Sequence, residues 1–271
     1  MERVRIVFPE MGNSIIKEAV EKAPEIEAMA ANNLEEACAM VASGVAEGLI
    51  AGIDYTSRDV ILACKDIIGV EESGGARVAD ESAKPTFSAS FVMTRGKKTY
   101  IIGDAAACKN PTEGQLYDIT MQTYETAKAV LDTEPKIAML SFSTFGSGGS
   151  DPSIDKARAV IERVRTARPE IQIDGEMQLD AAVNLRVAEK KAPGSQVAGR
   201  ANVLILPDLN AGNILYKAME QFGGFTAAGP ILQGFNAPCS DLSRGSTVED
   251  VLAVIEVIKK QILLKRAGGK E

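Results

Sequence analysis

The chain has 271 residues, 45% of them hydrophobic and 25% charged, with a formal net charge of −7 and no histidine. That balance excludes a disordered chain, and its acidity argues against nucleic acid or an anionic membrane as partner. Without histidine there is no Ser-His or Cys-His catalytic pair and no His-ligated metal site, so proton transfer falls to a carboxylate, Lys, Tyr or Cys.

Apolar runs of strand length alternate with stretches of helical length. Val4–Phe8 reads as a strand, Asn13–Ala23 as a helix, and Ile26–Ala28 is short and ambiguous. Leu34–Ser43 is helical by the spacing of Leu34, Ala37, Cys38 and Val41. Gly48–Gly52 reads as a buried strand and Ser57–Ile68 as a helix. Glu71–Pro85 is charged and Gly-rich, hence loop. Thr86–Met93 and Thr99–Ile102 flank Arg95-Gly-Lys-Lys98 as an antiparallel hairpin, which breaks the βα rhythm and places a lobe boundary near Val70.

The rhythm then resumes. Helices are expected at Thr112–Asp132, Ser153–Ala167, Asp180–Lys191 and Ala211–Phe222, with Ser153 as an N-cap after Pro152. Strands are expected at Ile137–Ser141, Ile171–Ile173 and Val203–Leu206, and a last helix runs from Thr247 to Lys265. The alternation predicts an α/β protein with mainly parallel sheets. Ligands bind at the C-terminal edge of such sheets, which points to the loops Ser141–Pro152, Asp174–Asp180 and Pro207–Asn213.

Cys38, Cys64, Cys108 and Cys239 are not at C-x-x-C spacing and read as reduced, buried thiols. Met1-Glu-Arg-Val-Arg-Ile-Val-Phe has no apolar signal core, and no apolar run reaches about 18 residues. The expectation is a cytoplasmic protein without a membrane partner.

Three segments have residues suited to chemistry. In Ser141–Ser150, glycines let backbone N–H groups converge on an anion, with Ser143, Thr144, Gly146 and Ser147 as donors; a flexible connector is the other reading. The segment is neither a Walker A nor a G-x-G-x-x-G loop. In Leu206–Asn213, Asp208 and Asn210 are ligands or helix caps, and Asn213 follows in the same stretch. In Asp241–Asp250, Arg244 can hold a dianion, Ser243 can donate a hydrogen bond and Asp250 can take a proton. Thr247-x-x-Asp250 also matches a capping box.

The stretch Gly103–Asp250 resembles the phosphate acetyltransferase (phosphotransacetylase) and phosphate butyryltransferase family. The match lies in Asn110-Pro-Thr-Glu-Gly-Gln-Leu, Glu125-Thr-Ala-Lys128, Lys136–Thr144, Gly146-Ser-Gly148, Ile173–Ala182, Pro207–Asn213, Gly229–Gly234 and Asp241-Leu-Ser-Arg-Gly245. Val4–Gly52 fits more loosely. The resemblance implies two α/β lobes of the isocitrate/isopropylmalate dehydrogenase type with an active-site cleft between them: residues 1–70 plus 240–271, and residues 71–239. It implies a homodimer, and the reversible reaction of a short-chain acyl-CoA with phosphate to give coenzyme A and acyl phosphate. Coenzyme A is then a substrate; the resemblance implies no permanently bound cofactor, no metal and no covalent acyl-enzyme. Ser243, Arg244 and Asp250 align with the family's catalytic Ser, Arg and Asp.

The sequence departs from the family at basic positions. A family arginine aligns with Leu62, another is missing at Gln221, and the family's Ser-Thr-Lys-Gly reads Ser143-Thr-Phe-Gly146. Arg58 lies one turn before Leu62 on the same face and is its expected substitute for holding coenzyme A. Each lost cation weakens anion binding by about 1–3 kcal/mol. Two alternatives therefore stay open: a family member that binds acyl-CoA or phosphate but turns over poorly, and an NAD-dependent dehydrogenase of the same fold.

Overall fold

The computed structural model describes residues 3–71 and 86–268, so all of the expected loop Glu71–Pro85 except Glu71 lies outside the described residues. Two compact units form, Met1–Glu72 with Thr226–Glu271, and Ser73–Phe225.

The first unit opens with β1 (Val4–Phe8), α1 (Ser14–Glu21), β2 (Ile26–Ala30), α2 (Leu34–Ala42), β3 (Gly48–Ala51) and α3 (Ser57–Ala63). The ambiguous segment after α1 is a strand, because β1 offers it a full parallel ladder from Val4↔Ile26 to Phe8↔Ala30. Each helix starts on a side-chain cap. Asn13 accepts from Ile15 N at 3.0 Å, Asn33 from Glu36 N at 2.8 Å and Thr56 from Asp59 N at 3.2 Å. The expected helix Ser57–Ile68 is α-helical only to Ala63 and then widens into a π-helical turn, Cys64–Ile68.

The second unit contains the expected hairpin, β4 (Ser88–Arg95) and β5 (Lys98–Gly103), paired antiparallel. Next come α4 (Glu113–Val130), β6 (Lys136–Leu140), α5 (Pro152–Ala167) and β7 (Gln172–Met177). They are followed by α6 (Leu179–Val183), α7 (Leu185–Lys191), β8 (Val203–Ile205) and α8 (Leu209–Gln221). Within this unit the strand order is β4-β5-β8-β6-β7, with β5, β8, β6 and β7 parallel. Three expectations are corrected, beyond shifts of one or two residues at element ends. The strand expected at Ile171–Ile173 continues to Met177, so residues 174–177 of the expected loop Asp174–Asp180 are strand, held by pairing with β6. The cap of α5 is Asp151, not Ser153: its carboxylate accepts from Ser153 N at 2.8 Å, with Pro152 in the first turn. The stretch Asp180–Lys191 is two helices, because Asn184 ends one and caps the next.

The chain then returns to the first unit through β9 (Thr226–Gln233), β10 (Cys239–Asp241) and α9 (Val248–Gly268). β10 pairs parallel with β3 and antiparallel with β9, giving this unit the order β2-β1-β3-β10-β9. The segment 226–239, expected in the second lobe, therefore belongs with the first.

Helix α9 packs on α1, β1 and β3, burying Val251, Val254, Ile255, Val257, Ile258 and Ile262. Each such side chain contributes about 1.5–3 kcal/mol. The half-exposed pair of Arg266 with Glu47 (2.6 Å) adds at most about 1 kcal/mol, so apolar burial docks the helix. No helix among the described residues is long and apolar enough to cross a membrane.

Candidate active site

In the first unit β1, β3 and β10 run parallel, so the segments after them share one edge of the sheet. Glu10 follows β1, Gly52–Thr56 lead from β3 into α3, and Leu242–Arg244 follow β10. Glu10 is 7% exposed and organises this edge. Its carboxylate accepts from Gly52 N at 2.9 Å, Asp54 N at 2.5 Å and Tyr55 N at 3.2 Å. Burial pushes the Glu10 carboxyl above the ordinary range, against the lowering effect of those three N–H groups.

Ser243 and Arg244 are exposed on the turn before α9. The Ser243 hydroxyl accepts from Gly245 N at 3.3 Å, and among the described residues its own proton has no acceptor. No carboxylate of the described residues lies within ion-pair distance of Arg244. Asp250 is half-buried and forms the capping box. Its Oδ2 accepts from Thr247 N and from Thr247 Oγ1, both at 2.9 Å, while Asp250 N donates to Thr247 Oγ1 at 3.2 Å. Its Oδ1 has no partner among the described residues. Arg58 stands exposed on α3, and Leu62, one turn on, is 41% exposed.

In the second unit the Gly/Ser loop after β6 is closed on itself. Ser143 N donates to Ser141 Oγ at 3.2 Å, Thr144 N to Ser147 Oγ at 2.9 Å and Gly146 N to Glu176 Oε1 at 2.8 Å. Gly148 N donates to Ser143 Oγ at 2.9 Å. Phe145, Ser147 and Gly149 donate to the carbonyls of Glu176, Thr144 and Gly146. Every N–H from Ser143 to Gly149 thus has a partner inside the protein, so the loop offers an anion no nest of open donors. Ser143 is fully buried with its hydroxyl donating to Glu176 Oε1 at 2.7 Å, and Thr144 accepts from Gln178 N at 3.0 Å. Ser147 and Gly146 are exposed, and Phe145 is 44% exposed at a left-handed φ of 47°.

Glu176 is the residue that sequence reasoning left without a role. It is 0% exposed and ion-pairs with Arg158 Nε at 2.8 Å. Burial opposes its charge, but Gly146 N–H, the Ser143 hydroxyl and Arg158 outweigh that and hold its carboxyl below the ordinary range. A depressed carboxyl stabilises the fold above its unfolded pKa and loses that contribution as pH falls. Glu176→Ala would leave the buried Ser143 hydroxyl and the Gly146 N–H unpartnered. The expected loss is about 3–5 kcal/mol, read by denaturant unfolding; a loss below about 1 kcal/mol would refute this role.

Asp208 caps α8, accepting from Ala211 N at 2.9 Å. Asn210 is exposed and Asn213 half-buried, and neither side chain is hydrogen-bonded among the described residues. Cys38, Cys64 and Cys239 are buried and free; Cys108 departs from expectation in being half-buried. The Cys64 and Cys38 thiols are neighbours, and both are pushed up in pKa, which makes them poor nucleophiles. Among the described residues no group of three or more Cys, Asp and Glu is placed to hold a metal ion.

A family model described as Phosphate acetyl/butaryl transferase matches residues 13–258. The chain belongs to that family. A phosphate acetyltransferase of Thermoanaerobacterium thermosaccharolyticum is 41% identical over 230 residues, which are 83% of this chain and 67% of that protein. The chain thus spans about two thirds of the length of that curated relative. A phosphotransacetylase from Streptococcus pyogenes superposes with a TM-score of 0.85 at 31% identity, covering 97% of this chain and 94% of the other. A 4-hydroxythreonine-4-phosphate dehydrogenase from Klebsiella pneumoniae shares the fold alone, with a TM-score of 0.51 at 10% identity over 97% of this chain and 84% of its own. The dehydrogenase-type α/β architecture expected from the sequence is therefore the family's fold, and the segment Asp241-Leu-Ser-Arg-Gly245 lies in the matched region.

Proposed function

We propose that this member of the phosphate acetyl/butyryl transferase family catalyses the reversible reaction of acyl-CoA with phosphate to give coenzyme A and acyl phosphate, on acyl groups from acetyl to butyryl. The observation that carries the reading is the Ser243–Arg244 turn, where among the described residues the guanidinium has no ion-pair partner and the hydroxyl proton no acceptor, a few residues before a half-buried carboxylate.

In the direction from acyl phosphate, Asp250 takes the thiol proton of coenzyme A. The thiolate attacks the acyl carbonyl, Ser243 donates to the oxyanion, and the carbon–oxygen bond to phosphate breaks as Arg244 holds the departing anion. The free Oδ1 of Asp250 serves as the proton acceptor while Oδ2 keeps the cap. Arg58 binds the anionic part of coenzyme A, and Asn210 and Asn213 supply uncharged contacts. Ser143, Thr144 and Gly146 act as the rigid frame of a substrate-facing loop, with Ser147 at its exposed surface; Asp208 acts through the start of α8. Coenzyme A is consumed as a substrate, and the protein works as a cytoplasmic homodimer.

The test is release of free thiol from acetyl-, butyryl- and isobutyryl-CoA, with and without phosphate. Phosphate-dependent release from at least one thioester is the expected result. A second reading, a family member that binds but turns over poorly, is favoured by the exposure of Leu62 (41%) and Phe145 (44%) at positions where the resemblance expects cations. It predicts binding of acyl-CoA, read by a thermal shift, without phosphate-dependent release.

A further inference from the structure

Asp241 ends β10, two residues before Ser243, and is 2% exposed. Its Oδ1 is buried and has no hydrogen-bond partner among the described residues. The backbone of Gly52 closes over it: at φ +114°, a Cβ there would collide with that oxygen and lie 2.6 Å from the carbonyl of Leu242. Leu242 N in turn donates to Ala51 O at 2.5 Å, so the carboxylate is locked between the ends of β3 and β10. The hydroxyl of Ser57, the first residue of α3, is the neighbour that favours its charged form.

A buried carboxylate oxygen without a partner is costly, and packing alone does not account for it. A neutral side chain of the same shape would be cheaper at this position. Such a cost is retained where function uses it.

We infer that Asp241 is a positioning residue, whose ionised carboxylate beneath the Ser243–Arg244 turn fixes that turn against the start of α3 for phosphate acyl transfer. The inference rests on the reading above.

Charge at this site has consequences. Burial, with Glu10 nearby, pushes the Asp241 carboxyl up to about 6, against the lowering effect of Ser57. Glu10 after β1 and Cys64 of the π-helical turn are the titratable groups that face it. β3 and β9 contain none, and no charged residue of α3 or α9 perturbs it. The native state therefore holds a proton here that the unfolded chain has lost between the ordinary carboxylate value and about 6, so stability falls as pH rises through that window.

The test is Asp241→Asn, the neutral isostere, beside the wild type. Above that window the variant should melt no lower than the wild type. Its kcat should fall by about tenfold to a hundredfold, the scale of an ångström-sized misplacement. The wild-type rate should decline on the acid side near the Asp241 pKa, and that limb should be missing from the variant. Ser57→Ala, an exposed change that does not threaten the fold, should move the wild-type limb to higher pH. An Asp241→Asn protein with wild-type kcat and an unchanged acid limb would overturn the inference. So would one whose lost rate only tracks a lowered melting temperature, or an unmoved limb in Ser57→Ala. A wild type with no phosphate-dependent thiol release overturns the underlying functional reading instead, and the inference with it.

Discussion

Arg244→Ala should abolish most turnover while leaving the fold intact. The side chain is exposed and no described carboxylate pairs with it, so its removal should change stability by no more than about 0.5 kcal/mol. Its proposed task is to hold a phosphate that carries most of its charge as it leaves. Loss of one such donor costs about a hundredfold to a thousandfold in kcat. Arg244→Lys should recover part of the rate, since a lysine keeps the charge but lacks the two-pronged geometry that matches phosphate oxygens. Steady-state rates at saturating acyl-CoA and phosphate measure this. Turnover within a few-fold of wild type in Arg244→Ala would remove the residue from the chemistry.

Asp250→Asn separates a cap from a base. The capping box uses Oδ2, which accepts from both the N–H and the hydroxyl of Thr247. An asparagine oxygen can keep both bonds, so stability should change by well under the ~1 kcal/mol typical of cap loss. An asparagine cannot take the thiol proton, and turnover should drop by about a hundredfold or more. The deficit should shrink as pH rises, where coenzyme A supplies more of its own thiolate. Normal activity at neutral pH would leave the capping box as the whole role of Asp250.

The sequence made most of the second unit legible, because β6 and β8 are apolar runs and its helices have strong starts, whereas the polar Asp174 and Glu176 hid the second half of β7. Thr112 with Gln115 is a complete capping box, and Val203–Ile205 is apolar at every position. The strands β9 and β10 were not legible. β9 reads Thr-Ala-Ala-Gly-Pro-Ile-Leu-Gln, with Gly-Pro in its middle, and β10 is only Cys-Ser-Asp. What makes them strands is the ladder from β3 through β10 to β9, and β3 lies far upstream in the chain. That miss also misassigned residues 226–239 to the second unit.

The Gly/Ser loop shows the same limit at the level of single donors. Composition shows that Ser143–Gly149 can aim N–H groups at an anion, but not where those groups go. The carboxylate that takes Gly146 N and the Ser143 hydroxyl sits at Glu176, on the neighbouring strand β7. For Asp241–Asp250 the structure shows the cap, and Arg244 on the turn before it has no ion-pair partner among the described residues. Asp241 carried no sequence signal of its own, since its burial depends on how closely Gly52 approaches.

In the proposed reaction phosphate, not water, accepts the acyl group. Phosphorus NMR on a reaction of butyryl-CoA and inorganic phosphate, with thiol release followed in the same tube, tests it directly. The expected result is an acyl phosphate signal that grows in step with the thiol and stops in Arg244→Ala. Thiol release with no acyl phosphate, at a rate independent of phosphate, would make the protein a thioesterase and contradict the claim.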